Sequence, residues 1–156
     1  MLFYLSGAIE HAPDHGRAWR AALTPILRKL GHDVYDPVKD EDKGLPPEDV
    51  ANFRAWKSSD PERFRRVLKH IISWDLDWID RCDAVLCYWD EHAGRGAGTQ
   101  GELTYAFRND VPVYLVTPLP QTSVSGWILG CATHIFPDFN ALHAHLTTKA
   151  MSVAAQ

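Results

Sequence analysis

Residues 83–107 read DAVLCYWDEHAGRGAGTQGELTYAF. An apolar run over 84–89 ends at Asp90, and a loop carrying Gly94, Gly96, Gly98 and Gly101 follows. A helical pattern then begins, with Glu102 in its expected first turn. A short continuous apolar run closed by turn residues reads as a strand buried on both faces. Such strands belong to parallel sheets in which helices carry the chain back. This unit therefore sets the expectation for the rest of the chain.

Upstream, LFYLSG (2–7) is a second buried-strand run, closed by Gly7. In GRAWRAALTPILRKLG (16–31), Trp19, Leu23, Ile26, Leu27 and Leu30 recur at helical spacing. Gly31 suits the stop of that helix, and Pro25 should kink it. DVYDP (33–37) reads as a short strand, and the polar residues 38–60 as a surface excursion carrying one short helix. Asp60 and Pro61 open a long helix over 61–83. Downstream, a helix over about 99–109 precedes a fourth strand, VPVYLVTP (111–118). A short helix near 124–131, a strand at 134–136 and a helix over 138–148 complete the pattern. The expected fold is an α/β, flavodoxin-like (Rossmann-type) sandwich with a five-stranded, mainly parallel sheet and helices on both faces. It is expected as one domain over 1–148, with a fraying tail at 149–156.

The composition suits such a fold: 156 residues, 46% hydrophobic and 23% charged. A net charge of −4 gives no electrostatic case for nucleic acid or an acidic membrane as partner. No apolar stretch is long enough to span a bilayer. The opening MLFYLSGAIE has no basic leader, and its apolar run is too short for a signal peptide, so a cytoplasmic location is expected. Cys82, Cys87 and Cys131 are an odd number without a C-x-x-C pair and read as core residues. The eight histidines are scattered, and His143 and His145 diverge on a helix. No metal site and no cofactor are expected.

Ligands of open parallel sheets bind outside the carboxyl ends of the strands. Tyr4, Asp36, Asp90 and Glu102 all fall at or near that edge. Glu102 has two bland readings. Thr99-x-x-Glu102 is a capping box, and a carboxylate in a first turn favours the helix dipole while lying in solvent. Against them, the glycine cluster lets a ligand approach the backbone, and a helix start keeps a carboxylate nucleophile ionised. The loop lacks the spacing of either common phosphate-binding glycine motif. Asp75 interrupts a stripe on the long helix formed by Phe64, Leu68, Ile71, Trp78 and Cys82. A carboxylate there must be paired or used. It is either half of a salt bridge with an arginine, a cap to a nearby loop, or a working acid. Tyr4 reads equally as a core aromatic and as a site residue.

Together, FYLSGAIE, VYDP, DLDWIDRCDAVLCYWDE and GAGTQGELTYAF…VPVYLVT resemble the nucleoside 2-deoxyribosyltransferase family, over most of residues 1–118. The resemblance implies cleavage of the N-glycosidic bond of a 2′-deoxynucleoside and passage of the sugar to another base, with retention. It makes Glu102 the nucleophile that forms a glycosyl ester, Tyr4 the residue that orients it, and Asp75 the acid facing the base. Gly7, Asp90, Gly98 and Ser123 match substrate-binding positions. The match at Asp90 could slip to Glu91 or His92, because the following loop is longer. Trp19, Trp74, Trp78 and Trp89 offer aromatic walls for a base. The implied partners are a deoxynucleoside and a free nucleobase. A homo-oligomer is also implied, with a neighbouring subunit completing the site through the segment of Ser123 and Ser125. A serine there equally resembles the related deoxynucleoside 5′-monophosphate N-glycosidases, which use water as acceptor. Glu10 and Asp14 would repel a phosphate, whereas Arg17 and Arg95 could reach one. A non-catalytic nucleotide-binding module on the same fold is the third alternative.

Overall fold

The computed structural model describes residues 1–154, with side chains through residue 148. Five strands, β1 (Leu2–Gly7), β2 (Asp33–Tyr35), β3 (Ala84–Tyr88), β4 (Val113–Val116) and β5 (His134–Phe136), form one sheet in the order β2-β1-β3-β4-β5. Every neighbouring pair is parallel, with Tyr4 beside Tyr35 on one side and Val85 on the other. This is the doubly wound order in which β1 and β3 flank the switch point. The helices are α1 (Arg17–Lys29), α2 (Pro47–Ser59), α3 (Pro61–Arg81), α4 (Ala97–Arg108), α5 (Gly126–Cys131) and α6 (Phe139–Ala154).

Alternation along the strands divides the core into two layers. Phe3, Leu5, Ala84, Leu86, Tyr114 and Val116 pack with Leu23 and Leu27 of α1 and Leu142 and Leu146 of α6. Tyr4, Val85, Cys87, Val113 and Leu115 pack with Ile79 of α3, Leu103 and Ala106 of α4 and Ile128 of α5. The three cysteines are buried and free.

Several boundaries differ from the sequence expectation. Helix α1 contains Pro25 without ending there; Pro25 and Ala21, whose carbonyl loses its partner, are both exposed to solvent. Gly31 sits at φ +79 with open space around its Cα, so backbone conformation selects glycine there. The polar segment 38–60 holds a full 13-residue helix with no buried residue. Helix α2 rests on α3, where Arg63 bridges to Glu48 and Asp49 and lies 3.8 Å over the Trp56 ring. Asp60 caps α3 by accepting from the Arg63 amide at 3.1 Å. The buried stripe of α3 is rotated from the expected one and includes Val67 and Ile79. Helix α6 continues through 149–154, where a fraying tail was expected; residues 155–156 lie outside the described residues.

Candidate active site

The i, i+2 spacing puts Tyr4 and Ser6 on the same face of β1, the face covered by α4. Tyr4 Oη donates to Glu102 Oε1 at 2.9 Å, and Ser6 Oγ donates to Glu102 Oε2 at 2.5 Å. Each carboxylate oxygen thus has one fixed donor and keeps lone-pair capacity for another contact. Burial first, and the Glu102 charge second, push the Tyr4 hydroxyl well above its ordinary pKa. It remains protonated and donates.

This geometry replaces both bland readings of Glu102. Helix α4 starts at Ala97, two residues earlier than expected, with Gly96 as an N-cap that makes no side-chain bond. Thr99 is the third helical residue and caps nothing, and Glu102 lies on the second turn. The extra half-turn rotates Glu102 away from the helix start and onto β1.

Asp75, on α3, is 15% exposed at its side chain and meets Lys43 Nζ at 2.5 Å. The partner is a lysine from the loop after β2, not the arginine weighed from sequence. Burial raises the Asp75 pKa to about 6; Lys43 opposes the rise, while Glu102 and Asp40 add to it. The loop is held by Asp40, which accepts from Tyr35 Oη at 2.7 Å and Trp74 Nε1 at 2.8 Å. Tyr35 in turn stacks on Trp78 at 4.1 Å and on Tyr4 at 5.5 Å. An aromatic layer therefore connects the Glu102 end of the cluster to the Asp75 end. Ser6, Tyr35 and Lys43 were not singled out from the sequence.

Arg20 is fully buried beneath the end of β1. It donates to the carbonyls of Leu5, Gly7 and Gly16 and lies 3.6 Å from Asp36. Asp36 is thereby turned toward α1 and pairs with a structural cation. Two of the Arg20 bonds flank Ser6 and fix the strand that presents it.

The remaining expected residues lie elsewhere. Asp90 Oδ1 accepts from the amides of His92 and Ala93, closing the loop after β3. With Trp89, Gln100, Ser123 and Ser125 it lines a cavity of about 390 Å³. Ser123 reaches that cavity from its own chain, with its hydroxyl donating to the Pro120 carbonyl. Glu91 is exposed, and its carboxylate lies 3.5 Å from His92. A Cβ at Gly7 would stand 3.0 Å from both the Trp19 ring and the Tyr88 carbonyl, so packing accounts for that glycine. Gly98 is exposed, with nothing near its Cα that requires glycine. Trp19 packs against Tyr88 and Phe139 in the opposite layer. Arg17 pairs with Glu41 at the surface, and Arg95 is exposed. A larger cavity of about 680 Å³ between α2 and α3 contains neither Glu102 nor Asp75.

No protein-family model and no curated protein matches this chain. Among solved structures, it is similar to a 2-deoxyribosyltransferase from the psychrotolerant bacterium Bacillus psychrosaccharolyticus. The two are 21% identical over 94% of this chain and 96% of that one, with a TM-score of 0.67. At this identity, what the two chains share is the fold.

Proposed function

We propose that this chain is a nucleoside 2-deoxyribosyltransferase that works through a covalent glycosyl–Glu102 intermediate. The observation that carries the reading is a carboxylate held at both oxygens by hydroxyl donors, in one cluster with a carboxyl group of pKa about 6. A carboxylate oriented for attack and a second carboxyl group whose pKa burial raises are what retaining glycosyl transfer uses. Glu102 attacks the anomeric carbon as Asp75 protonates the departing base. The C–N bond breaks with its electron pair going to the base, and a C–O bond forms to Glu102. Attack by a second base reverses these steps, and Asp75 recovers a proton. Tyr4 and Ser6, both neutral donors, hold the carboxylate in the attacking orientation.

Incubation with a deoxynucleoside, alone and with a second free base, tests the reading. Base exchange is expected. Release of free sugar without exchange would instead assign a hydrolase, and no turnover a binding module. A 2-fluoro-2-deoxy sugar donor should also add its glycosyl mass to the peptide containing Glu102.

A further inference from the structure

The loop after β2 spends considerable structure on placing one ammonium. Lys43 is 9% exposed and adopts a left-handed backbone, φ 46, which is uncommon for a residue with a side chain. His70 Nε2 donates to its carbonyl at 2.7 Å. The neighbouring Gly44 lies under Trp74, where a Cβ would come within 3.2 Å of the ring. Asp40 ties the same loop to Tyr35 and Trp74. The ammonium so placed carries three N–H donors. Among the described residues its one hydrogen-bond acceptor is Asp75 Oδ1. The ammonium also lies 5.9 Å over the Tyr35 ring, but no second acceptor atom meets it among the described residues, so donor capacity remains in a largely desolvated position where unsatisfied donors are costly.

We infer that Lys43 reads the leaving base, and that with Asp75 it selects purines carrying a 6-oxo group, not a 6-amino group, beside the N7 that Asp75 protonates. This rests on the transferase reading above. A lysine facing the O6/N7 edge of a 6-oxopurine is a well-matched donor–acceptor pair. Asp75 delivers its proton to the ring nitrogen while Lys43 donates to the adjacent oxygen. An exocyclic amino group in the same place turns donors against donors.

The test compares kcat/KM for deoxyinosine against deoxyadenosine, with deoxyuridine and deoxycytidine assayed beside them as a check on transfer itself. It uses the wild-type chain, Lys43→Met and Lys43→Arg, each checked for folding by thermal melt. The purine pair carries the readout. Wild type should favour the oxo member by about 10²-fold or more, as sites built around a substrate hydrogen bond do. Lys43→Met should collapse that ratio to within about tenfold of unity, and Lys43→Arg should retain most of it. A wild-type ratio near one, or a ratio that Lys43→Met leaves unchanged while both substrates slow equally, overturns the inference and leaves the transferase reading standing. Absence of exchange with both purine nucleosides overturns the inference, and absence with all four overturns the transferase reading as well. Titration of Glu102→Gln with free hypoxanthine and adenine gives a readout independent of turnover, and equal affinity there also overturns the inference. If Lys43→Met fails to fold, the wild-type ratio and this titration decide.

Discussion

Ser6 Oγ lies 2.5 Å from Glu102 Oε2, linking residues 96 positions apart in the chain. With Tyr4 on the other oxygen, the carboxylate is locked by two neutral donors at successive positions on one strand face. Its orientation therefore depends on β1 and not on its own helix.

Replacing Glu102 by Gln should lower transfer by roughly 10⁴-fold or more, the scale of removing a covalent nucleophile. The amide can still meet both hydroxyls, because a hydroxyl can donate or accept. Melting temperature should move little. Turnover near wild type in this variant would remove Glu102 as nucleophile.

Ser6→Ala and Tyr4→Phe should each lower kcat more than they raise KM. A hydrogen bond to a charged group is worth about 1.5–3 kcal/mol, or about 10- to 150-fold in rate if it serves the attacking geometry. Steady-state kinetics on both variants check this. An unchanged kcat would reduce the two hydroxyls to packing.

The Asp75 pKa of about 6 fixes two pH effects. As the proton donor, Asp75 must be protonated, so kcat/KM should fall about tenfold per pH unit above pH 6. Lys43 holds that pKa down, so Lys43→Met should move the descending limb to higher pH. For stability, the folded value lies above the ordinary 3.8, so between those values the folded state binds more proton than the unfolded. The contribution of Asp75 is complete below about pH 4 and is lost as pH rises through about 6, by at most about 3 kcal/mol. The unfolding free energy of wild type minus that of Asp75→Asn should therefore decline across this window. A flat difference in urea titrations would place the folded pKa elsewhere.

Arg20→Met should be among the most destabilising single changes outside the cluster. It removes the side-chain donor from the Leu5, Gly7 and Gly16 carbonyls and leaves the buried Asp36 without its cation. Breaking a buried pair from one side costs roughly 3–5 kcal/mol. Adding Asp36→Asn should recover part of the loss, and denaturant midpoints of the single and double variants measure it. Full additivity would mean that the two residues do not interact.

How far the sequence was readable follows from the range of each signal. Unbroken apolar runs marked β1, β3 and β4, because strands buried on both faces leave no polar position, and parallel pairing followed from the helices between them. The S/T-x-x-E pattern at Thr99, set aside from sequence, is a local signal: it does not say where a helix begins, and α4 begins at Ala97, two residues before the expected start. Asp75 was visible as a charge on an apolar stripe, but its partner was not, since Lys43 sits in a loop with no periodicity to mark it. Ser6 left one unread trace, a second hydroxyl two residues from Tyr4 and so on the same strand face. Arg20 lies between apolar neighbours on an amphipathic helix, and only the three-dimensional path of β1 exposes its role.

The sugar gives the final test. The reaction passes through an oxocarbenium-like state, which an electron-withdrawing 2′-hydroxyl destabilises. The two hydroxyls nearest Glu102 both donate to it already, so neither has a proton to offer a 2′-oxygen. A 2′-hydroxyl can then only donate, to a Glu102 lone pair, which draws charge from the nucleophile. The two effects act in the same direction, so 2′-deoxyribosides should be turned over faster than ribosides of the same base. Side-by-side assays of deoxyinosine with inosine, and of deoxyuridine with uridine, hold the Lys43–Asp75 end of the site constant and vary only the sugar. Equal turnover would mean that the site accommodates a 2′-hydroxyl, and the chain would then be a general pentosyltransferase even with Glu102 as its nucleophile.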